Sequence, residues 1–135
     1  MALHEKPIGM AIVVCDQVIT DKDTNKRSLI GIFNQLKVVG PGPHVLLKMH
    51  VFVMLGCGRG DGLAELVCRQ VETDRELLRA GSDISFPDPN HVVQLNFVLR
   101  GMMFQAAGLY AFELFADNEL ILESRFNVVQ LQNKG

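Results

Sequence analysis

The 135-residue chain has no tryptophan, one tyrosine and only three cysteines, and each shortage removes a class of function. Binders of single-stranded nucleic acid stack bases on exposed aromatic rings, whereas the eight phenylalanines here sit inside apolar runs and read as core. Cys15, Cys57 and Cys68 are odd in number and form no CxxC pair. Neither a disulfide framework nor a zinc ribbon is expected, and a reducing cytoplasm is the natural setting. Charge of one sign is missing as well: 13 basic against 15 acidic residues leave a net charge of −2, which gives no electrostatic reason to expect nucleic acid or a membrane surface as partner. Long hydrophobic runs are lacking too. The opening "MALHEKPIGMAIVVCDQ" places charge and a proline before an apolar stretch too short to span a bilayer, and it has no small-residue cleavage pattern. The expectation is a cytoplasmic, unprocessed chain.

What is present suffices for one core. The composition is 48% apolar and 21% charged, far from the disordered range, and the length suits a single domain over residues 1–135. No stretch sustains helical spacing over ten or more residues; short runs with period-two alternation are separated by turn clusters instead. In "LLKMHVFVML" the set Leu47, Met49, Val51, Val53 and Leu55 is wholly apolar, with Lys48, His50, Phe52 and Met54 on the other face. "HVVQLNFVL" turns Val93, Leu95, Phe97 and Leu99 inward and Gln94 and Asn96 outward. "SLIGIFNQLKVV" reads as one strand, "GCGRGDG" as a turn joining a strand pair, and "ELLRAGSDISF" as an irregular strand. The sum is about eight strands at the spacing of a β-sandwich.

Two resemblances sharpen that architecture. "AAGLYAF" (residues 106–112) resembles the start of the next-to-last strand of an immunoglobulin-like sandwich, with Tyr110 as the corner tyrosine and Phe112 where an antibody domain has its cysteine. No disulfide and no core tryptophan accompany it, so the resemblance implies the sandwich alone. The runs "VVCDQVITDKDTNKRSLIGIFNQL", "HVFVMLGCGRGDGLAELV", "ISFPDP" and "GLYAFELFADNELILESRFNVVQL" resemble a bacterial family of β-sandwich proteins of unknown function. Asp16, Asp21, Thr24, Lys26 and Gly31 fall on its recurrent positions. That likeness implies a fold and transfers no catalytic or binding residue.

Among candidate sites, Asp21, Asp23 and Asn25 match the first ligands of a calcium loop, in which alternate short oxygen side chains converge on one hard cation. Lys26 and Arg27 then replace the required glycine, and Ile32 stands where a bidentate glutamate belongs. A solvated turn is the simpler account, and no metal or other cofactor is expected. Asp16 follows a buried-looking run, so a partly buried carboxylate there needs partners; Asp16, Asp21 and Lys26 form a possible polar site. "RGD" at residues 59–61 is a chance match in a thiol-bearing protein, and "GCGRGDG" lacks the ending of a phosphate loop. His4, His44, His50 and His91 show no metal-ligand spacing, and no GxSxG elbow occurs. What remains is a possible interface built from Phe52, Met54, Met102, Met103 and Phe115, either an exposed contact patch or residues covered by the 75–82 segment. The sequence therefore reads as an all-β, immunoglobulin-like sandwich, more a non-enzymatic protein-binding or self-assembling homo-oligomer than an enzyme. The alternative is a small-ligand-binding or hydrolytic domain around Asp16, Asp21 and His50.

Overall fold

Alternation of this kind lets one face of each segment bury while the other stays wet, and the computed structural model, which describes residues 2–131, turns it into nine strands. They are β1 (Ile8–Thr20), β2 (Arg27–Ile32), β3 (Gln35–Val39), β4 (His44–Gly56), β5 (Gly60–Gln70), β6 (Arg75–Phe86), β7 (Val93–Phe104), β8 (Gly108–Ala116) and β9 (Glu119–Leu131). One sheet has the order β2-β1-β4-β7 and the other β3-β9-β8-β5-β6. Pairing is antiparallel throughout except for β3 on β9, which is parallel. The chain repeatedly switches sheets between consecutive strands, the Greek-key habit of immunoglobulin-like sandwiches.

Three sequence expectations change. Residues 28–39 form two strands, because the chain leaves the first sheet at Phe33 and Asn34 and enters the second as β3. The glycine-rich segment after β4 is a crossing between sheets and not a hairpin, since β4 and β5 lie in different sheets. Residues 75–82 cover no outer face of the first sheet; they belong to β6, an edge strand paired only with β5.

The core lies between the sheets. Tyr110, Phe86, Phe104, Phe112, Phe126 and Met49 are its largest fully buried side chains, each contributing about 1.5–3 kcal/mol on burial. Phe104 packs edge-on to Tyr110 at 5.0 Å between centroids, and Phe112 edge-on to Phe126 at 5.8 Å. The Tyr110 hydroxyl donates to the Ala106 carbonyl at 2.7 Å, which closes the tyrosine corner that the resemblance implied, and the Phe112 ring occupies the cysteine position of that pattern.

Strand phase departs from the reading at one place. Leu47 is 80% exposed, and Met102, expected on an outer edge, is 5% exposed and packs in the core. Gly101 has φ +65°, a left-handed step that inverts the alternation of β7 between Leu99 and Met102. Paired β4 follows, so Leu46 packs against the core while Leu47 turns out. The two flanks of the sandwich also differ. β1 closes tightly on β9 at Gly9, where a Cβ would stand 2.6 Å from Leu122 Cβ, while β6 and β7 bound the other flank with one strand partner each.

Candidate functional site

The outer faces of the two sheets have opposite chemistry. On the five-stranded sheet, Arg69 Nε donates to Glu113 Oε1 at 3.0 Å, Arg79 reaches Glu76 at 2.8 Å and Glu65 at 3.3 Å, and Arg125 pairs with Glu123 at 2.7 Å. The Arg79 hydrogen bond holds the Glu76 carboxyl below its usual range. Val67, directly between Arg79 and Glu113 in the cross-strand register, is fully buried beneath these long side chains. Phe115 is on this face as well, with the Arg79 guanidinium 5.8 Å from its ring centroid.

On the four-stranded sheet the central cross-strand rows are mostly apolar, with His50, Asn96 and Gln94 among them. Ile32, Cys15, His50 and Val98 form one row, Val13, Phe52 and Asn96 the next, and Ala11, Met54 and Gln94 a third, because directly paired residues share a face. Met10 borders Gly56 on the same side, its Sδ 2.9 Å from where a glycine Cβ would stand. The centre of this face is packed: Phe52 is 5% exposed, with the Arg27 guanidinium 5.8 Å from its ring centroid, and Cys15 is fully buried. Burial pushes the Cys15 thiol up. His50, 7% exposed, has Nδ1 3.1 Å from Asn96 Oδ1. An amide oxygen can only accept, so Nδ1 is the donor, and the buried Nε2 has no hydrogen-bond partner among the described residues. The rim is open, with Ile8, Met10, Ile30, Ile32 and Val98 all exposed.

The residues singled out from sequence are thus dispersed. Phe52 and Met54 share the four-stranded face, Phe115 is on the opposite one, Met102 is core and Met103 is exposed near the end of β7. Asp21 sits at the β1–β2 tip, where Oδ1 accepts from the Asp23 and Thr24 amides at 2.8 and 2.9 Å. These bonds, Thr24 first, hold its carboxyl below the usual range, as a self-contained turn requires. The Lys26 amide donates to Thr24 Oγ1 at 3.3 Å. Asp16 is exposed, contrary to the partly buried setting expected, and its carboxylate lies against Gly31, where a Cβ would clash with it. Asp16 also points away from His50: its neighbour Cys15 is the residue directly across from His50, and successive side chains alternate. Asp16, Asp21 and His50 therefore share no pocket. Among the described residues, no three or more His, Cys, Asp or Glu side chains are placed to hold a metal, and no helix is long and apolar enough to cross a membrane.

A residue that the sequence reading missed is Asp117. Its two carboxylate oxygens accept from the Leu3 amide at 2.7 Å and the Leu63 amide at 2.9 Å, tying the amino-terminal segment and β5 to the β8–β9 turn. The only available signal was the "DNE" turn itself. Asp117 also lines a cleft of about 550 Å³ with Asp61, Asp83 and Ser85. Asp61 accepts from the Ser85 hydroxyl at 2.6 Å, so two of the three carboxylates there already have partners.

Comparison with known proteins adds little chemistry. A crystal structure of a β-glucosidase from Listeria innocua in complex with glucose aligns with 94% of this chain and 16% of that one at 10% identity and a TM-score of 0.48. The same enzyme in complex with isofagomine aligns over 95% and 17%, at 10% identity and a TM-score of 0.46. This chain therefore spans less than a fifth of the length of those enzymes. No curated protein sequence matches it. A family of unknown function, DUF6941, matches residues 10–129, and the chain belongs to that family.

Proposed function

We propose that this protein is a non-catalytic β-sandwich module that pairs with a second copy of itself through the outer face of the β2-β1-β4-β7 sheet. The observation that supports the reading is the asymmetry between the outer faces: one bears interlocked ion pairs, the other no ion pair among the described residues and an exposed apolar rim of Ile8, Met10, Ile30, Ile32 and Val98. Contiguous apolar surface of this kind marks contact sites. Arg27 beside Phe52 and the Lys48–Arg100 cross-strand pair put cations on this face, and a twofold axis through the Ile32–Val98 row sets the apolar residues together while those cations stay off the axis, as two sheets meet inside a sandwich. The packed centre supplies rigidity and the rim the contact area.

The test is the solution mass by light scattering. Wild-type protein is expected at twice the chain mass, and Ile32→Asp or Met10→Asp at the mass of one chain. Ile32 is 65% exposed, so the substitution leaves the core intact, which Phe52→Asp would not. Val39→Asp, on exposed β3 of the other sheet, should leave the dimer unchanged. A single-chain mass for the wild type at high concentration would sink the reading.

A further inference from the structure

On the open flank of the sandwich, a groove of about 280 Å³ runs between the start of β6 and the end of β7, lined by Arg75, Leu77, Leu78, Arg100, Met103 and Gln105 among others. Its charged lining is entirely cationic, in a chain with a net charge of −2. The other arginines of the five-stranded sheet are committed to carboxylates, and Glu76 beside Arg75 is committed to Arg79 and Arg69. Arg75 and Arg100 enter no side-chain hydrogen bond or ion pair among the described residues. Leu77 and Leu78 are half-buried against the core, and Met103 is exposed. β6 and β7 each carry a free edge of twelve residues, whereas the edge strands of the other flank, β2 and β3, have six and five.

From these observations we infer that the β6/β7 flank docks an extended acidic segment of a partner protein. Such a segment adds alongside a free strand edge, sets apolar side chains on Leu77, Leu78 and Met103, and gives carboxylates to Arg75 and Arg100. Backbone pairing at the edge contributes affinity, alternate side chains contribute selectivity, and guanidinium–carboxylate pairs at the mouth fix the charge of the guest. Charge complementarity selects an acidic segment. The apolar lining without an aromatic ring, and only two cations, favour a peptide over a nucleic acid. The groove borders the apolar sheet face along β7, where Arg100 stands two residues from Val98, but its lining includes no residue of the apolar rim, so the inference does not depend on self-association.

The experiment uses the full chain and a fluorescein-labelled peptide of alternating valine and glutamate, with an alternating valine and lysine peptide as control, read by fluorescence anisotropy. The acidic peptide should bind saturably and less tightly as salt rises, while the basic one does not bind. Arg75→Glu and Arg100→Glu should each weaken binding by about tenfold, and Arg75→Gln and Arg100→Gln by less. Both sites are exposed, and an unchanged circular dichroism spectrum confirms folding of each variant. No saturable binding, or binding indifferent to the two arginines, overturns the proposal. So does a single-stranded oligothymidine that binds as tightly through the same arginines, or a loss of oligomer mass in Arg75→Glu/Arg100→Glu, which would assign the groove to a second copy.

Discussion

Asp117 shows how one side chain can hold distant parts of a sandwich together. It sits in a two-residue turn in which Asp117 and Asn118 both have positive φ, 44° and 68°, the geometry that tight hairpins demand. Its carboxylate accepts the Leu3 and Leu63 amides, the first of them the larger cause of a carboxyl pKa held below its usual value. A carboxyl whose folded pKa lies below the unfolded one stabilises the fold above the unfolded value, near 4, and loses that contribution as pH falls through the folded one. Asp117→Asn should therefore cost about 1 kcal/mol at neutral pH, solvent exposure having reduced the strength of both bonds. Urea denaturation should show the gap between variant and wild type closing as pH drops below about 4; a gap independent of pH would mean that the charge contributes nothing. The turn was legible in the sequence. Its partners were not, because they stand 114 and 54 residues away and only folding brings them near.

Among the strands, period-two alternation assigned faces correctly wherever a strand stayed regular. Val93, Leu95, Phe97 and Leu99 of β7 turn inward as read, and so do Ala64, Leu66 and Cys68 of β5. It failed at Leu47 and Met102 because a positive φ at Gly101 shifts the phase of two strands at once, and the residue responsible for Leu47 is in the other strand. A lone glycine within "LRGMMF" was the signal, but its effect on β4 depends on a pairing that a single sequence does not disclose. Sheet membership was equally hidden: "SLIGIF" and "NQLKVV" have the same strand-forming chemistry, and only tertiary packing sends them to different sheets. If the left-handed step at Gly101 sets the phase, Gly101→Val should destabilise by roughly 1–3 kcal/mol even though no atom lies within 4 Å of the added Cβ. Gly81→Ala, at an edge position with ordinary backbone and contacts no closer than 3.6 Å, should be nearly neutral. Equal midpoints for the two variants in a denaturant titration would show that backbone conformation at Gly101 is not what fixes the register.

For the molecule as a whole, the connections from β2 to β3, β3 to β4, β4 to β5, β6 to β7 and β7 to β8 each cross between sheets and leave neither sheet a self-contained piece of chain, and the three cysteines report on whether it opens as one. Cys57 is exposed, Cys15 is buried in the four-stranded sheet, and Cys68 is buried in the five-stranded one. Burial, with the Glu113 carboxylate adding to it, pushes the Cys68 thiol up to about 12, and a thiol must ionise to react. A disulfide reagent such as dithionitrobenzoate should therefore label one thiol per chain at once and the other two only through opening. If every opening that exposes one sheet also exposes the other, Cys15 and Cys68 become equally reactive thiols of the same open chain. Their labelling rates should then agree and rise together with denaturant, at the slope of global unfolding. Measured in Cys57→Ser protein, with the modified residue located by peptide mass, faster labelling of Cys15 than of Cys68 would show that the apolar-faced sheet loosens by itself. The same sheet is the one proposed to meet a second copy. Agreement of the two rates at single-chain concentrations, followed by slowing of both as concentration rises, is what a dimer that stabilises the whole sandwich requires.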